Sequence, residues 1–457
     1  MWSFMAGLAA LAALATGSLP ARADEPADHN WPAFRGPAAR GVAAGKPTAT
    51  TWDVERGENI RWKTAIPGLG LSSPIIWGER LFVTTAVNAD DDAELRVGLY
   101  GDIEPSKDNA THRWLVLCLD KNTGRELWRR VAHEGEPKVK RHPKSSHANC
   151  TPATDGRRVV AFFGSEGLYC YDLDGELKWK KDFGELDAGY YVVPQAQWEF
   201  ASSPVIHEDK VIVQCDTQGA SFVAALKLED GAEIWRAARE EVPTWSTPAV
   251  HVSDSRAQVI CNGYKHIGGY DLATGKPLWN LAGGGDIPVP TPIVAHGLVY
   301  ITNAHGRMAP IYAIRLDASG DITPGETETR NAGIAWLNRR GGTYMQTPLV
   351  IGDQLYCCTD WGVVLVYDAE TGAVVKRKRL VENVTMGQMG FTASGVSAGG
   401  KIYYTREDGE VHVLSATPEV EPLAVNQLGE SAMATPAISD GVLYFRGRRH
   451  VIAVAAP

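Results

Sequence analysis

A tryptophan-closed turn recurs along the chain and constrains the fold more than any other feature. It reads "LDKNTGRELW" (residues 119–128), "YDLDGELKW" (171–179), "LEDGAEIW" (228–235) and "YDLATGKPLW" (270–279). A copy without tryptophan is "YDAETGAVVK" (367–376). In the Asp-x-x-Thr-Gly form, Asp271 and Thr274 can satisfy the backbone of a turn, and Gly275 supplies its positive φ. Trp279 then falls on an outer strand, where a flat ring can wedge between neighbouring units. The motif is a packing device.

A second echo alternates with the first: a short polar-Pro segment followed by an apolar run. It begins at Ser72, Cys150, Ser202, Ser246, Pro290, Gln346, Ala393 (where the proline is lost) and Ala434, which makes eight copies. Each unit reads as strand, tight turn, strand, variable loop, third strand, aspartate turn and fourth strand. Apolar and polar residues alternate, and nothing sustains a helical period. Four short strands repeated eight times predict an all-β chain, an eight-bladed β-propeller of four-stranded antiparallel blades. The last unit leaves room for only three strands before Pro457, whereas "NIRWKTAI" (59–66) is a tryptophan strand without a unit. The N-terminal strand is therefore expected to complete the eighth blade, which removes the open edges of a linear array.

The propeller is expected over 59–457, after a lead segment at 24–58 and a secretory signal at 1–23. The apolar "AGLAALAALA" is too short to span a bilayer, and "ARA" before Asp24 fits cleavage after Ala23. This predicts a periplasmic or secreted protein with no transmembrane segment. The formal net charge is −9. Loss of Arg22 with the signal leaves 44 basic against 54 acidic residues, or −10. That balance argues against nucleic acid as a partner. A monomer is expected. Most of the seven cysteines lie in strand-like apolar runs such as "GLYCYD" and "VIVQCD", as small buried residues do.

These repeats resemble the pyrroloquinoline-quinone (PQQ) repeat propellers, a broad family that includes quinoprotein alcohol dehydrogenases and BamB-type propellers. The matching element is the tryptophan docking motif at Asp120–Trp128 and Asp271–Trp279. "WPAFRGPAARGV" and "IPGLGLSSPIIWGERLFVTT" are similar to segments of secreted bacterial PQQ-binding-like proteins. The resemblance covers nearly the whole mature chain and speaks to fold, since one fold hosts many functions.

Strand direction puts the stereotyped turns on one face and the individual loops on the other, where recognition is expected. Candidates for the channel mouth on that face are Lys144, His147, Trp198, Glu199, Gln218, Trp245, Lys265 and Asp286. His305, Gln346, Asp360, Trp361, Gln388, Arg406 and Arg446 complete the set. Mixed charge with aromatic surfaces suits a small polar ligand or a protein loop. The expected function is an exported binding or scaffold module. The alternative, implied by the resemblance, is a quinoprotein oxidoreductase, a PQQ- and calcium-dependent alcohol or sugar dehydrogenase. In it Trp245 or Trp361 would stack on the quinone, and Glu199, Asn262 and Asp286 would supply calcium ligands and a base. The family's vicinal disulfide has no evident counterpart, because Cys357 and Cys358 sit on a strand where neighbouring side chains point to opposite faces. No C-x-x-C-H haem motif occurs. His142 and His147 share a loop but have no third ligand close in sequence, so no metal site is expected. The acidic insertion at 87–113 is expected to lie over one rim, where a partner-binding lid is the sharper reading.

Overall fold

The computed structural model describes residues 1–2, 29–89, 93–101, 104–382 and 384–457. The expected signal at 1–23 falls almost entirely outside them. The described chain forms eight radial sheets around a central channel. Blade 1 runs Ile75–Trp77, Arg80–Asn88, His112–Asp120 and Glu126–Gly135, from the channel outwards. The two middle strands carry runs such as "LFVTTAVN" and "WLVLCL", buried on both faces between adjacent blades. The outer strand starts by alternating, with Trp128 inward between the exposed Leu127 and Arg129.

Closure is made by the N-terminus. Ile60–Ala65 pairs antiparallel with His450–Ala455, with Ile60 opposite Val454 and Ala65 opposite His450. It is the fourth strand of blade 8, after Ala437–Ser439, Val442–Arg446 and His450–Ala455. Lys121 of blade 1 reaches Asp440 of blade 8 at 2.9 Å across the seam.

Five tryptophans lock their blades to the turn of the next. Indole N–H groups of Trp62, Trp128, Trp179, Trp235 and Trp336 donate to the carbonyls of Lys121, Leu173, Leu228, Leu272 and Ala369, at 2.8–2.9 Å. The turn glycine lies under the ring: a Cβ on Gly275, whose φ is +71°, would come within 2.5 Å of Trp235. Trp279 departs from this pattern. It is buried between blades 4 and 5, but its N–H donates to Gln258 of its own blade. The cause is local, because blade 5 replaces the short turn with a longer excursion whose Gly320–Asp321 adds a parallel fifth strand beside Pro277–Leu281.

Blade 7 has Ala424 where the tryptophan would sit, and blade 8 ends its third strand at the C-terminus with no turn to receive one. Trp52 of the lead segment packs there instead, 5.6 Å from Phe445, with its backbone N–H held by Asn426.

The lead segment then shapes the channel. Trp31 bridges Ile76 on the inner edge of blade 1, and Val42–Ala43 pairs in parallel with Val396–Ala398 on the inner edge of blade 7. Residues 32–41 cross between them. Arg35 is fully buried and donates to five carbonyls: Ala39, Arg40, Thr347, Pro348 and Gly395. Gly41, at φ +69°, gives the guanidinium its space, since a Cβ there would lie 2.5 Å from it.

Candidate functional site

The channel is lined by one hydroxyl residue from the inner segment of each blade, followed by a proline in seven blades and by Gly395 in blade 7. Ser73, Thr151, Ser203, Thr247, Thr291, Thr347, Ser394 and Thr435, one from each blade, form a ring of hydroxyls. The backbone N–H of Ser73 donates to the Thr151 hydroxyl at 3.0 Å, that of Thr151 to Ser203 at 2.9 Å, and that of Ser203 to Thr247 at 3.1 Å. Thr291, Thr347 and Ser394 continue the belt to the next blade at 3.0 Å each. The following proline, lacking an N–H, leaves no donor to satisfy. The repeated Ser/Thr-Pro therefore both links blades and coats the channel.

Phe34 closes the cavity on the turn side and also borders a second crevice beneath blades 2–4, so its ring is the partition between the two. Towards the loop face the walls carry Trp198, Trp245, Tyr344, Met345 and Met433, and the cavity holds about 180 Å³. Around the rim, His142 stacks on Trp198 with ring centres 3.9 Å apart. Nearby, Asp286 accepts from Tyr190 at 2.9 Å, Tyr191 at 3.2 Å and His305. Burial opposes ionisation of Asp286, but His305 and Tyr190 hold its carboxyl below the ordinary value. His305 in turn lies 5.6 Å from Tyr344.

A charged network lies behind the wall. Lys144 pairs with the buried Glu407 of blade 7 at 2.6 Å and donates to the Gly98 carbonyl of the insertion. Glu407 also accepts from the backbone of Gly98. The insertion thus runs from blade 1 past Arg448 of blade 8, which holds the Ala93 carbonyl, to the Gly387–Gln388 loop and blade 7. His147 bonds Glu199 at 2.6 Å, and both are buried. Burial pushes Glu199 up to about 8 and pulls His147 down to about 3. Glu199 has φ +67°, a left-handed conformation a glutamate rarely takes, and its carbonyl accepts from the Trp245 indole.

Of the residues expected at the mouth, Lys144, Trp198 and Trp245 line the cavity. His147 and Glu199 lie behind it. Asp286 and His305 form the tyrosine-rich cluster at the rim. Gln346 turns into the wall and bonds the Phe391 carbonyl, whereas Tyr344 and Met345 beside it face the channel. Arg406 is tied to Asp408 and Glu410 of its own blade, and Gln218 leans on Asp187 and Pro194. Lys265 and Gln388 are exposed, and Trp361 is half-buried in the blade 6 loop. Asp360, beside it, is pushed up to about 6 by burial. Arg446 is buried with no hydrogen-bond partner among the described residues, and burial pulls it down to about 10. Sequence reasoning missed the hydroxyl ring and Phe34. The ring was signalled by seven Ser/Thr-Pro segments and the Ser394-Gly395 of the proline-less copy, each read only as the start of a strand.

The sequence family described as "Outer membrane protein assembly factor BamB" matches residues 112–378, more than half of the chain. The chain belongs to this PQQ-repeat family. No curated protein matches it. Among solved structures it is similar to BamB from Moraxella catarrhalis, at 14% identity and TM-score 0.53, over 81% of this chain and 98% of that one. Quinohemoprotein alcohol dehydrogenase from Comamonas testosteroni aligns at 12% identity and TM-score 0.60, over 93% and 80%. A europium-containing methanol dehydrogenase aligns at 12% identity and TM-score 0.58, over 94% and 90%. Identities this low speak to fold. Among the described residues no helix is long and apolar enough to cross a membrane.

The residues present do not fit the quinone–calcium set that the dehydrogenase likeness implies. Asn262 spends both amide hydrogens on the Pro290 and Thr302 carbonyls and its oxygen on the Gly263 N–H. Glu199 is committed to His147 and Asp286 to the rim tyrosines, so the three do not converge on one ion. Cys357 and Cys358 are unpaired and pack in different clusters, on opposite faces of the strand Gln354–Cys358. The expectation that Trp361 could offer a stacking face also meets an obstacle, since it does not line the cavity.

Proposed function

We propose that the protein is an exported binding module that takes a small polar ligand, or one loop of a protein partner, into the floored channel from the loop face. The observation that carries this reading is the cavity itself. It has a phenyl floor, a hydroxyl belt contributed by every blade, and an aromatic rim with one lysine. Apolar walls bearing a few convergent polar groups are the usual composition of a ligand pocket. Membership of the BamB-type family, whose named member is an assembly factor, favours a module that binds over one that catalyses. The quinoprotein reading draws on likeness of fold, and the residues in the channel weigh against it.

The test is a thermal-shift and tryptophan-fluorescence screen of the mature chain against polar small molecules and fractionated periplasmic extract. Hits should weaken at least tenfold in Trp245→Ala and Lys144→Met. Hits that bind both variants as tightly as the parent would remove the channel from the reading. N-terminal sequencing of protein recovered from the periplasm should begin at Asp24.

A further inference from the structure

We propose that Asp108, His112 and His147 hold a divalent first-row transition-metal ion of the zinc type, which ties the blade 1 insertion to the connection that walls the channel. Asp108 and His112 lie four residues apart, and His147 joins them from 35 residues further on. Asp108 ends the insertion, His112 opens the strand His112–Asp120, and His147 lies in the connection to blade 2. One donor atom from each falls within 4.8 Å of the other two. His112 Nε2 stands 3.2 Å from Asp108 Oδ1, and His147 Nε2 stands 3.8 Å from Asp108 Oδ2. A tetrahedral ion with bonds of about 2.0–2.1 Å separates its ligands by about 3.3 Å.

The chemistry of the two rings carries the argument. His112 Nδ1 lies 2.7 Å from the Ala110 carbonyl, which can only accept, so Nδ1 is the protonated nitrogen. In the neutral ring Nε2 then presents a lone pair to a carboxylate oxygen, a repulsive contact that a bound cation relieves. His147 repeats the geometry: Nδ1 is engaged by Glu199, and Nε2 is buried with no hydrogen-bond partner among the described residues. A histidine whose Nδ1 is held by a carbonyl or carboxylate while Nε2 points into a shared space is the arrangement that metal-bound histidines adopt. Arg141 takes Asp108 Oδ2 at 2.6 Å, which orients the carboxylate and leaves Oδ1 towards His112.

Two imidazoles with one carboxylate select a zinc-type ion over calcium or magnesium, which take oxygen ligands. The three protein ligands leave room for water to complete the shell.

The experiment uses the full mature chain, stripped with a chelator, reloaded with zinc chloride and freed of excess. The expected result is one tightly held zinc per chain, lost in His147→Ala and in Asp108→Asn. Cobalt(II) in its place should give visible ligand-field bands that both variants lack. Should the variants fold poorly, zinc-edge X-ray absorption of the unmodified protein decides alone, with two imidazoles and one carboxylate expected in the shell. A shell without two imidazoles, zinc retained equally by folded variants, or less than about a tenth of an equivalent on the parent overturns the proposal. In the last case the contact is an imidazolium–carboxylate pair instead.

Discussion

Replacing Arg35 should open the floor of the channel. Its five donors meet five carbonyls at 2.7–3.1 Å, and the side chain has no exposed surface. Burial lowers its pKa to about 9, so it stays charged at neutral pH. Two of the carbonyls, Ala39 and Arg40, belong to the lead segment and can turn to water once it loosens. The other three, Thr347, Pro348 and Gly395, are fixed in the walls of blades 6 and 7. Leaving a buried carbonyl unpaired costs about 1–3 kcal/mol. Three give about 3–9 kcal/mol, and water entering from the cavity relieves part of this, so Arg35→Met should lose about 3–5 kcal/mol. Arg35→Lys keeps the charge but has only three donors and no planar fork, and should lose most of the same amount. Urea melts measure the loss. Trypsin cleavage at the exposed Arg40 measures release of the segment. A methionine variant that melts within about 0.5 kcal/mol of the parent and resists trypsin equally would refute the idea that Arg35 holds the floor.

Trp235→Ala should cost about 3–5 kcal/mol through the cavity and the lost bond to Leu272. Gly275→Ala should also destabilise, but less in the Trp235→Ala background, because the ring it collides with is gone; additive losses in urea melts would contradict the docking geometry. Deleting residues 24–66 should sharply lower the melting temperature, since blade 8 loses a strand and Trp52 and Trp62 leave their seams; an unchanged melt argues against closure by this strand. Burial opposes the charge on Asp440, but Lys121, His29 and Lys46 hold its carboxyl well below the ordinary range. Its contribution is thus full above the unfolded carboxylate value of about 3.9 and fades as pH falls through the lower folded value. Asp440→Asn should destabilise the protein by about 1–3 kcal/mol at neutral pH and narrow the gap from the parent in strong acid. A gap that stays constant down to the acid transition would count against it.

The blades were legible because their signal is local and repeated: Asp271, Thr274, Gly275 and the proline segments set each unit within a few residues. The unit count and the spare strand at Asn59–Ile66 made closure legible as well. Trp52 was not, because its place depends on a turn that blade 8 lacks, which no local pattern records. Trp279 was read correctly as buried between blades, while its bond to Gln258 depends on the excursion in the next blade. The candidate site was legible in part. Loop chemistry picked Lys144, Trp198 and Trp245, but the side on which Gln346, Tyr344 and Met345 point is fixed by packing. Phe34 and Arg35 lie in a stretch without strand pattern, and their role arises from contacts more than 300 residues away in sequence. A separation of 39 residues hid Asp108 as a neighbour of His147, although His142 and His147 had drawn attention to that loop.

The seam between Ile60–Ala65 and His450–Ala455 also sets a timetable. The strand Ile60–Ala65 leaves the ribosome early and waits for a partner made about 390 residues later. Joining ends about 390 residues apart costs about 4 kcal/mol more loop entropy than closing a six-residue hairpin. Until then His450–Ala455 presents an open edge of fixed register. Any copy of Ile60–Ala65 fits that edge, including one from another molecule. Refolding is thereby a contest between a strand tethered by the whole ring and a strand free in solution. Dilution favours the monomer, and crowding favours exchanged pairs.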